Sequence, residues 1–265
     1  MLNYTIHNLK IVMIKLNKKR IDFLYSFFIF YANIILINDI RRKNMEYKYL
    51  ILDFGKVLAY PVSGHWFITP ITWNILDKKE IDEEKLKQSM KKYNYILDEF
   101  VKTESEEFEM FSKFYKTTLE DIKYKGNIEE ISRKLAEDCV FNDTKYELYD
   151  DVKECLKILS EEYTLLLLSD NWPSALRMMK NYDIEKYFDK IYISSICESQ
   201  KKDKIFFDFP MRDYNIEEGQ AIFVDDNINL LDIAKDKGLK TILMDRDKTI
   251  KNTRYKTINC LKDLI

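Results

Sequence analysis

The sequence lacks the residue groupings that several kinds of site and partner require. Its 265 residues include only two histidines and four widely spaced cysteines, with no C-x-x-C pair among them. Neither a zinc site nor a disulfide framework is expected, and the cysteines are interpreted as buried thiols of a cytoplasmic protein. An excess of charge is lacking too, because 43 basic residues balance 45 acidic ones. Nucleic acid is therefore not an expected partner.

Long apolar stretches are scarce, and residues 23–37 form the only one, with basic clusters on both sides. A helix of that length reaches about 22 Å, which is short of the roughly 30 Å of hydrocarbon in a bilayer. Residues 1–44 are therefore interpreted as an N-terminal extension outside the fold, with Met45 as the natural start. The alternative that remains is a membrane anchor formed by residues 21–37.

From Met45 onward the sequence contains short apolar runs that alternate with helical patterns. The runs are apolar at nearly every position, as in strands that are covered on both faces. Helical segments between such runs indicate βαβ units and a parallel sheet. The predicted fold is α/β, with a doubly wound (Rossmann-like) parallel sheet as its core. The predicted strands are Tyr49–Leu52, Thr164–Leu168, Ile191–Ile193, Ala221–Val224 and Thr241–Met244.

The first two runs are separated by about 110 residues with little strand signal, which is too many for one crossover connection. This segment is predicted to fold as a helical cap, residues 61–145, inserted into a core of residues 45–60 and 146–265. A capping box is predicted at Thr103 and Glu106, ahead of a further cap helix. The apolar residues that recur at helical spacing in an earlier cap helix are Leu86, Met90, Tyr93, Leu97 and Phe100.

Polar residues follow the predicted strands, where ligands bind in an open parallel sheet. Asp53 ends the first run and Ser169 the second. Asp225 and Asp226 end the fourth, and Lys201 lies in the polar segment after the third. Each residue alone is equally compatible with a turn, a helix cap or a solvated charge. Their joint placement at strand ends favours a site.

The paired acids predict the kind of ligand. Carboxylates brought close together repel each other, and a divalent cation between them removes the repulsion. Oxygen ligands with few histidines or thiolates favour Mg²⁺, which completes its shell with water and substrate phosphate. The pattern therefore predicts a magnesium site for phosphoryl transfer.

These positions resemble the four motifs of the haloacid dehalogenase-like hydrolase superfamily, specifically its phosphatases with a helical cap inserted after the first strand. The resemblance covers about residues 47–246 and rests on YLILDFGKVL, LLLLSDN, YFDKIYISSICESQKKD and IFVDDN in that order. It implies that Asp53 attacks phosphorus and forms an aspartyl phosphate. It also implies that Ser169 donates to a phosphoryl oxygen and that Lys201 neutralises charge.

The resemblance further implies a site for Mg²⁺ as the cofactor. Its ligands would be Asp53, the backbone carbonyl of Gly55, and Asp225. Supporting roles fall to Asp226, Asp170 and Asn171.

One departure from the family pattern concerns catalysis directly. Most of these phosphatases carry an aspartate two residues after the nucleophile to protonate the leaving oxygen, and here that position is Gly55. General acid catalysis contributes roughly 10² to 10⁴ in rate, so its absence favours good leaving groups, a surrogate acid or slow turnover. Lys56 and Glu198, where Gly is usual, and Lys202, where Pro is usual, are further departures.

Three functions are compatible with this sequence. The first is a phosphatase for a small phosphorylated metabolite such as a sugar phosphate, acting as a monomer or homodimer. The second is a dehalogenase in which Asp53 attacks carbon, although that chemistry needs no Mg²⁺ and the paired acids count against it. The third is a non-catalytic ligand sensor that has lost the acid at Gly55.

Specificity is expected from the cap, because the core recognises only the phosphoryl group. Aromatic residues near its beginning are predicted to line the substrate side of the cleft, although such residues more often belong to a core. The cap is predicted to open and close on hinges near residues 59–64 and 142–149. The candidate substrate-binding residues are His65, Trp66, Phe67 and Trp73.

Overall fold

The computed structural model describes residues 27–29, 47–76 and 81–265. Apart from residues 27–29, which are helical with exposed side chains, the predicted N-terminal extension and membrane-contacting stretch lie outside the described residues. Within the described ranges, no helix has both the length and the apolar character that crossing a bilayer requires. The chain divides into Met1–Met45 and Glu46–Ile265, and the second unit is described below.

The second unit is built around a parallel sheet of short apolar strands. The strands are β1 (Tyr49–Leu52), β2 (Ala59–Pro61), β3 (Tyr146–Leu148), β4 (Thr164–Ser169), β5 (Lys190–Ile193), β6 (Ala221–Asp225), β7 (Lys240–Met244) and β8 (Lys256–Ile258). Six of them form one sheet in the order β5-β4-β1-β6-β7-β8, and each neighbouring pair runs parallel. Because β1 lies inside the sheet and the chain winds outward from it in both directions, the predicted doubly wound α/β fold is confirmed.

Helices cover both faces of this sheet and also form the segment between β2 and β3. They are α1 (Thr72–Ile75), α2 (Glu83–Lys92), α3 (Glu104–Asp121), α4 (Ile128–Phe141), α5 (Val152–Glu162), α6 (Ser174–Asn181), α7 (Ser194–Cys197), α8 (Asp208–Asp213) and α9 (Ile228–Asp236). Leu50 and Leu52 of β1 pack into a buried cluster with residues of α5 and α6, whereas Ile51 packs into a second cluster with residues of α9. Alternate side chains of a strand point to opposite faces, so β1 is buried on both sides.

Helices α1 to α4 have a hydrophobic cluster of their own. Residues of α3 and α4 fill it, among them Phe111, Phe114 and Cys139. The predicted capping box is present at the start of α3. The hydroxyl of Thr103 accepts from the Glu106 N–H at 3.2 Å, and the Glu106 carboxylate accepts from the Thr103 N–H at 2.9 Å. Capping and an amphipathic pattern therefore specify this helix locally.

A short two-stranded antiparallel ribbon connects this helical segment to the sheet. Strand β2 pairs with β3, with Ala59 opposite Leu148. We call residues 61–145 the cap, in keeping with the predicted boundaries, which fall at this ribbon and remain predictions. The sequence does not predict the ribbon, because each of its strands has only three residues, too few for a recognisable pattern.

The predicted long helix in the first part of the cap is wrong in its second half. Helix α2 ends at Lys92, and a 3₁₀ turn spans Asn94–Asp98. Asn and Asp compete with the helical backbone by forming local hydrogen bonds, which favours a break there. Phe100 consequently lies outside a helix and is 40% exposed.

Candidate active site

Two carboxylates lie side by side at the carboxyl edge of the sheet. The Asp53 N–H donates to the carbonyl of Val224 at 3.1 Å, so pairing between β1 and β6 continues one residue beyond β1. Asp225, the last residue of β6, is fully buried, and Asp53 is 6% exposed. The parallel register of β1 and β6 therefore brings together two acids that are far apart in the sequence.

The ammonium group of Lys201 bridges these two carboxylates. Its Nζ lies 2.8 Å from Asp53 Oδ1 and 2.6 Å from Asp225 Oδ2, and the residue is 2% exposed. The backbone N–H of Lys201 donates to Asp170 Oδ1 at 2.9 Å. Lys201 is thus held from both its backbone and its side chain, which fixes a positive charge between two acids.

One lysine does not balance two buried carboxylates, and the pKa values reflect this. Burial raises the pKa of Asp225 to about 7. The charge of Lys201 lowers this pKa in part, and the charge of Asp53 raises it further. Burial also works to lower the pKa of Lys201, but the Asp225 and Asp53 carboxylates outweigh it and raise that pKa. Lys201 therefore stays charged at neutral pH, whereas burial works against the charged form of Asp225. A bound cation would hold Asp225 in its charged form.

Asp226 completes a group of three acids that suits a metal ion. One carboxylate oxygen each from Asp53, Asp225 and Asp226 lies within 4.8 Å of the other two. Burial raises the pKa of Asp226, and the charge of Asp53 adds to the increase. Lys56 Nζ lies 3.6 Å from Asp226 Oδ2 as a partly exposed pair. Because hard oxygen donors in excess over nearby cations favour Mg²⁺, the residues present fit this ion.

Gly55 lies in a tight turn and close to the ring of Trp66. The Lys56 N–H donates to the carbonyl of Ala59 at 2.7 Å, and the Ala59 N–H donates to the carbonyl of Phe54 at 3.0 Å. A Cβ atom at Gly55 would lie 3.2 Å from Cη2 of Trp66. An acidic side chain fits here only if the indole moves, so an aromatic ring takes the place of the acid.

Strand β4 supplies the remaining predicted core residues. Ser169 ends this strand and is 2% exposed. The next loop is fixed by hydrogen bonds, because the Asn171 N–H donates to Ser194 Oγ at 3.0 Å and the Ser194 hydroxyl donates to the Asn171 carbonyl at 3.2 Å. The backbone of this loop is therefore bound to the beginning of α7.

These residues line one cavity of about 280 Å³. The predicted core residues on its wall are Asp53, Gly55, Ser169, Asp170, Asn171, Lys201, Asp225 and Asp226. The others are Trp66, Phe67, Tyr146, Trp172, Asn227 and Leu230. The volume is at the small end of ligand pockets, which suits a small metabolite.

The predicted aromatic contacts are only partly brought to this cavity. Trp66 and Phe67 line it, whereas His65 and Trp73 do not. The ring of His65 accepts from the Phe67 N–H at 3.2 Å, and burial lowers its pKa, with a further decrease from Lys87. Trp73 packs against the cap cluster. Contact with substrate stays a prediction, and the geometry restricts it to Trp66 and Phe67.

Two residues of the wall were missed from the sequence although a signal was present. Trp172 directly follows Asn171 at the end of β4, and its indole N–H donates to the carbonyl of Leu97 at 3.3 Å. Asn227 directly follows the paired acids, and its N–H donates to Asp225 Oδ1 at 2.8 Å. Both positions follow strand ends, which is the rule that identified the other site residues.

Two of the departures from the family pattern, Lys56 and Glu198, have unusual backbone conformations. Lys56 has a φ of 54°, and Glu198 also has a φ of 54°. Side chains other than Gly rarely adopt this left-handed region, which explains why Gly is common at such positions. Lys202 is exposed and lies 4.0 Å from Asp98 of the cap. These substitutions therefore affect turns around the site and leave its core intact.

Comparison with protein families gives one match. A sequence model described as haloacid dehalogenase-like hydrolase matches residues 74–244. This range is more than half of the 265-residue chain. A comparison with curated proteins gives no match.

Solved structures with the same fold include a HAD-hydrolase, a dehalogenase and a phosphatase. The HAD-hydrolase YfnB from Bacillus subtilis, bound to magnesium, has 14% identity and a TM-score of 0.61. A 2-haloacid dehalogenase from Pseudomonas syringae pv. tomato DC3000 has 14% identity and a TM-score of 0.60. A HAD phosphatase from Thermococcus onnurineus has 16% identity and a TM-score of 0.56. The alignments cover 82% of this chain and 96%, 96% and 95% of the respective neighbours.

Proposed function

Since this chain belongs to the haloacid dehalogenase-like hydrolase family, we propose that it is a magnesium-dependent phosphatase for a small phosphate monoester. The observation that carries the proposal is the Lys201 ammonium between Asp53 and Asp225, at 2.8 Å and 2.6 Å. Asp226 lies in the same group of acids. A nucleophilic carboxylate, a fixed positive charge and a set of acids for a metal ion are what phosphoryl transfer through an enzyme-bound intermediate requires.

Asp53 is the nucleophile of the proposed reaction. Its carboxylate attacks phosphorus, the bond between phosphorus and the ester oxygen breaks, and an aspartyl phosphate forms as the alkoxide leaves and takes a proton from solvent water. A water molecule then attacks phosphorus and gives a proton to the solvent. The bond between phosphorus and the Asp53 oxygen breaks, inorganic phosphate leaves, and Asp53 regains its carboxylate. The Ser169 hydroxyl donates to a phosphoryl oxygen. The Lys201 ammonium offsets the charge of these oxygens, which is worth on the order of 4 kcal/mol at about 4 Å and an effective dielectric near 20.

The metal-binding part of the site consists of oxygen atoms from two strand ends. Asp53, Asp225 and the carbonyl of Gly55 are the proposed ligands, and Asp226 orients the shell. The Asn227 N–H fixes one oxygen of Asp225 at 2.8 Å. When bound, Mg²⁺ supplies positive charge that stabilises the phosphoryl oxygens during transfer.

The site holds no carboxyl group at Gly55 to protonate the leaving oxygen. General acid catalysis contributes about 10² to 10⁴ in rate, so esters whose alcohols leave readily are expected to be the better substrates. This expectation also makes activated aryl phosphates suitable test substrates.

Release of inorganic phosphate from 4-nitrophenyl phosphate tests the proposal. We expect release with Mg²⁺, none with EDTA, and none from Asp53→Asn with Mg²⁺. Asp236→Asn is the matched control, because Asp236 forms an exposed pair with Lys204 at the end of α9. Equal release by wild type and Asp53→Asn would remove Asp53 from the mechanism. No release by any variant would favour a non-catalytic ligand sensor.

A dehalogenase that uses the same Asp53 is the second candidate. Gly55 favours it, because a halide leaves without a proton and needs no general acid. The cluster of acids counts against it, because displacement of halide from carbon requires no metal ion. Halide release from a 2-haloacid in EDTA, without phosphate release from any ester, would establish this alternative.

The proposed enzyme acts in the cytoplasm, as a monomer or homodimer. The four cysteines are free thiols, which is compatible with a reducing compartment. Cys139 and Cys155 are buried as predicted, whereas the predicted burial of Cys197 and Cys260 is wrong, because both are only partly buried.

A further inference from the structure

A second groove adjoins the active-site cavity. It has a volume of about 220 Å³ and lies between residues 94–100 of the cap and the loops after β4 and β5. Phe67, Asp170, Asn171 and Trp172 line both spaces. A different cavity of about 470 Å³ shares Trp66 alone with the active site. The groove is therefore the more direct continuation of the space in which the phosphoryl group would bind.

The wall of this groove is acidic. Asp98, Glu99 and Asp170 contribute three carboxylates to its wall, and none of the described lining residues is basic. Lys202 lies 4.0 Å from Asp98, but the two side chains are 62% and 52% exposed. Such exposed pairs are weak, so Lys202 competes only slightly with another cation.

Aromatic rings also line the groove. Phe67, Phe100 and Trp172 line the groove. The indole of Trp172 is fixed by its hydrogen bond to Leu97 at 3.3 Å and by an edge-to-face contact with Phe111 at 5.1 Å between ring centroids. Fixed aromatic faces beside carboxylates are the combination that binds ammonium groups.

The absence of an acidic side chain at Gly55 is an independent reason to expect a substrate whose leaving group is positively charged. No carboxyl group occupies the space at Gly55, where Trp66 lies instead. An ammonium group two carbons from the ester oxygen withdraws electrons and makes the departing alkoxide less basic. A substrate with such a group therefore depends less on a general acid than a simple alkyl phosphate does.

We propose that this groove binds a cationic head group, and that the substrate is the phosphate ester of a short amino alcohol. The phosphate lies in the cavity beside Asp53, and the nitrogen lies against the aromatic rings and carboxylates of the groove. The inference rests on the proposed phosphatase function and specifies its substrate class.

A pair of esters with the same shape tests the charge requirement. Phosphocholine and 3,3-dimethylbutyl phosphate differ in having nitrogen or carbon at the centre of the head group. We expect KM to be about tenfold lower for phosphocholine, as cation–π and charge contacts of ordinary strength give. KM is the deciding value, because the less basic alkoxide of phosphocholine raises kcat whether or not the groove binds the head group. Phosphoethanolamine distinguishes a primary ammonium from a quaternary one. Equal KM values for phosphocholine and its carbon analogue, with phosphoethanolamine no better, would overturn the inference.

Variants of the groove sharpen this test. Comparing phosphocholine with 3,3-dimethylbutyl phosphate as a ratio of kcat/KM values cancels any loss of activity that a variant causes with both esters. Asp98→Asn is expected to lower the ratio, and Lys202→Gln is expected to raise it only slightly, because the exposed pair with Asp98 is weak. Glu120→Gln, which removes one exposed carboxylate of the cap outside the groove, is the matched control and should preserve the ratio. An unchanged ratio in both Asp98→Asn and the double variant with Glu99→Gln would contradict the proposed contacts.

Failure of this inference is distinguishable from failure of the proposed function. Hydrolysis of 4-nitrophenyl phosphate with equal KM values within the ester pair would overturn the substrate class alone. If no ester is hydrolysed, calorimetry with choline and 3,3-dimethylbutanol still decides the inference. Tighter binding of choline supports the groove as a cation site, and equal or absent binding of both contradicts it.

Discussion

The two sides of the cleft use similar side chains in opposite ways, as two consecutive lysines illustrate. On the core side, Lys201 is 2% exposed and lies within 2.8 Å of Asp53 and Asp225. Towards the cap, the side chain of Lys202 is 62% exposed and lies 4.0 Å from Asp98 of the cap. Charge contacts are strong where water is excluded and weak where it is not. The charges on the core side are therefore held in fixed positions for catalysis, whereas Asp98 on the cap side can exchange Lys202 for another cation.

The largest expected effect follows from changing the nucleophile on the core side. Asp53→Asn should lower kcat with 4-nitrophenyl phosphate by roughly 10⁴-fold or more, as is typical when a nucleophile that acts with its partners is removed. The fold should remain, because an amide of the same shape replaces the carboxylate. Steady-state kinetics with Asp236→Asn as control measure the loss of kcat. A decrease of less than tenfold would contradict the role of Asp53 as the nucleophile.

The next effect concerns the buried charge of Lys201. Lys201→Met leaves Asp53 and Asp225 without their shared cation, which should lower the free energy of unfolding in EDTA by about 3 to 5 kcal/mol. Mg²⁺ should restore part of this stability, because it supplies the missing charge. Denaturant unfolding with and without Mg²⁺ measures both effects. Lys202→Met is the matched control and should change little, so equal losses in the two variants would contradict the difference between the two sides.

A smaller effect is expected where the cap meets the core at Gly55. Gly55→Asp alone should be destabilised and gain no activity, because its Cβ atom would lie 3.2 Å from Trp66. With Trp66→Ala added, the new carboxyl group should increase kcat for simple alkyl phosphates by about 10²-fold over Trp66→Ala alone. If the double variant is no faster than Trp66→Ala, the indole is not what excludes the acid.

The smallest effect is expected at Glu198, in the loop that leads to Lys201. Its φ of 54° suits Gly, so Glu198→Gly should raise the free energy of unfolding by up to about 1 kcal/mol. The exposed pair with Lys102 that is lost contributes little. Thermal unfolding measures the change, and a clear loss of stability would show that this pair outweighs the backbone.

The core side could be predicted from sequence because simple rules apply to it. Asp53, Ser169 and Asp225 follow runs that are apolar at nearly every position, and parallel strands bring such ends to one edge. Lys201 follows no strand directly and was assigned through its spacing from the family motif. Its position between the two acids required the fold of the loop around α7.

The cap side could not be predicted in the same way. The apolar residues from Leu86 to Phe100 keep a helical spacing although the chain leaves the helix after Lys92, and this break forms one wall of the groove. The orientation of Trp66 towards Gly55, and of Trp172 towards Leu97, depends on packing between distant segments. Local patterns contain no information on such contacts, so the shape of the groove emerges only from the structure.

The most direct test of the central claim is the mass of the peptide that contains Asp53 after acid quenching of a reaction with Mg²⁺ and 4-nitrophenyl phosphate. The account predicts the added mass of one phosphoryl group on Asp53, which disappears in EDTA and in Asp53→Asn. Release of phosphate at an ordinary rate, without any phosphorylated Asp53 at quench times shorter than one turnover, would contradict it.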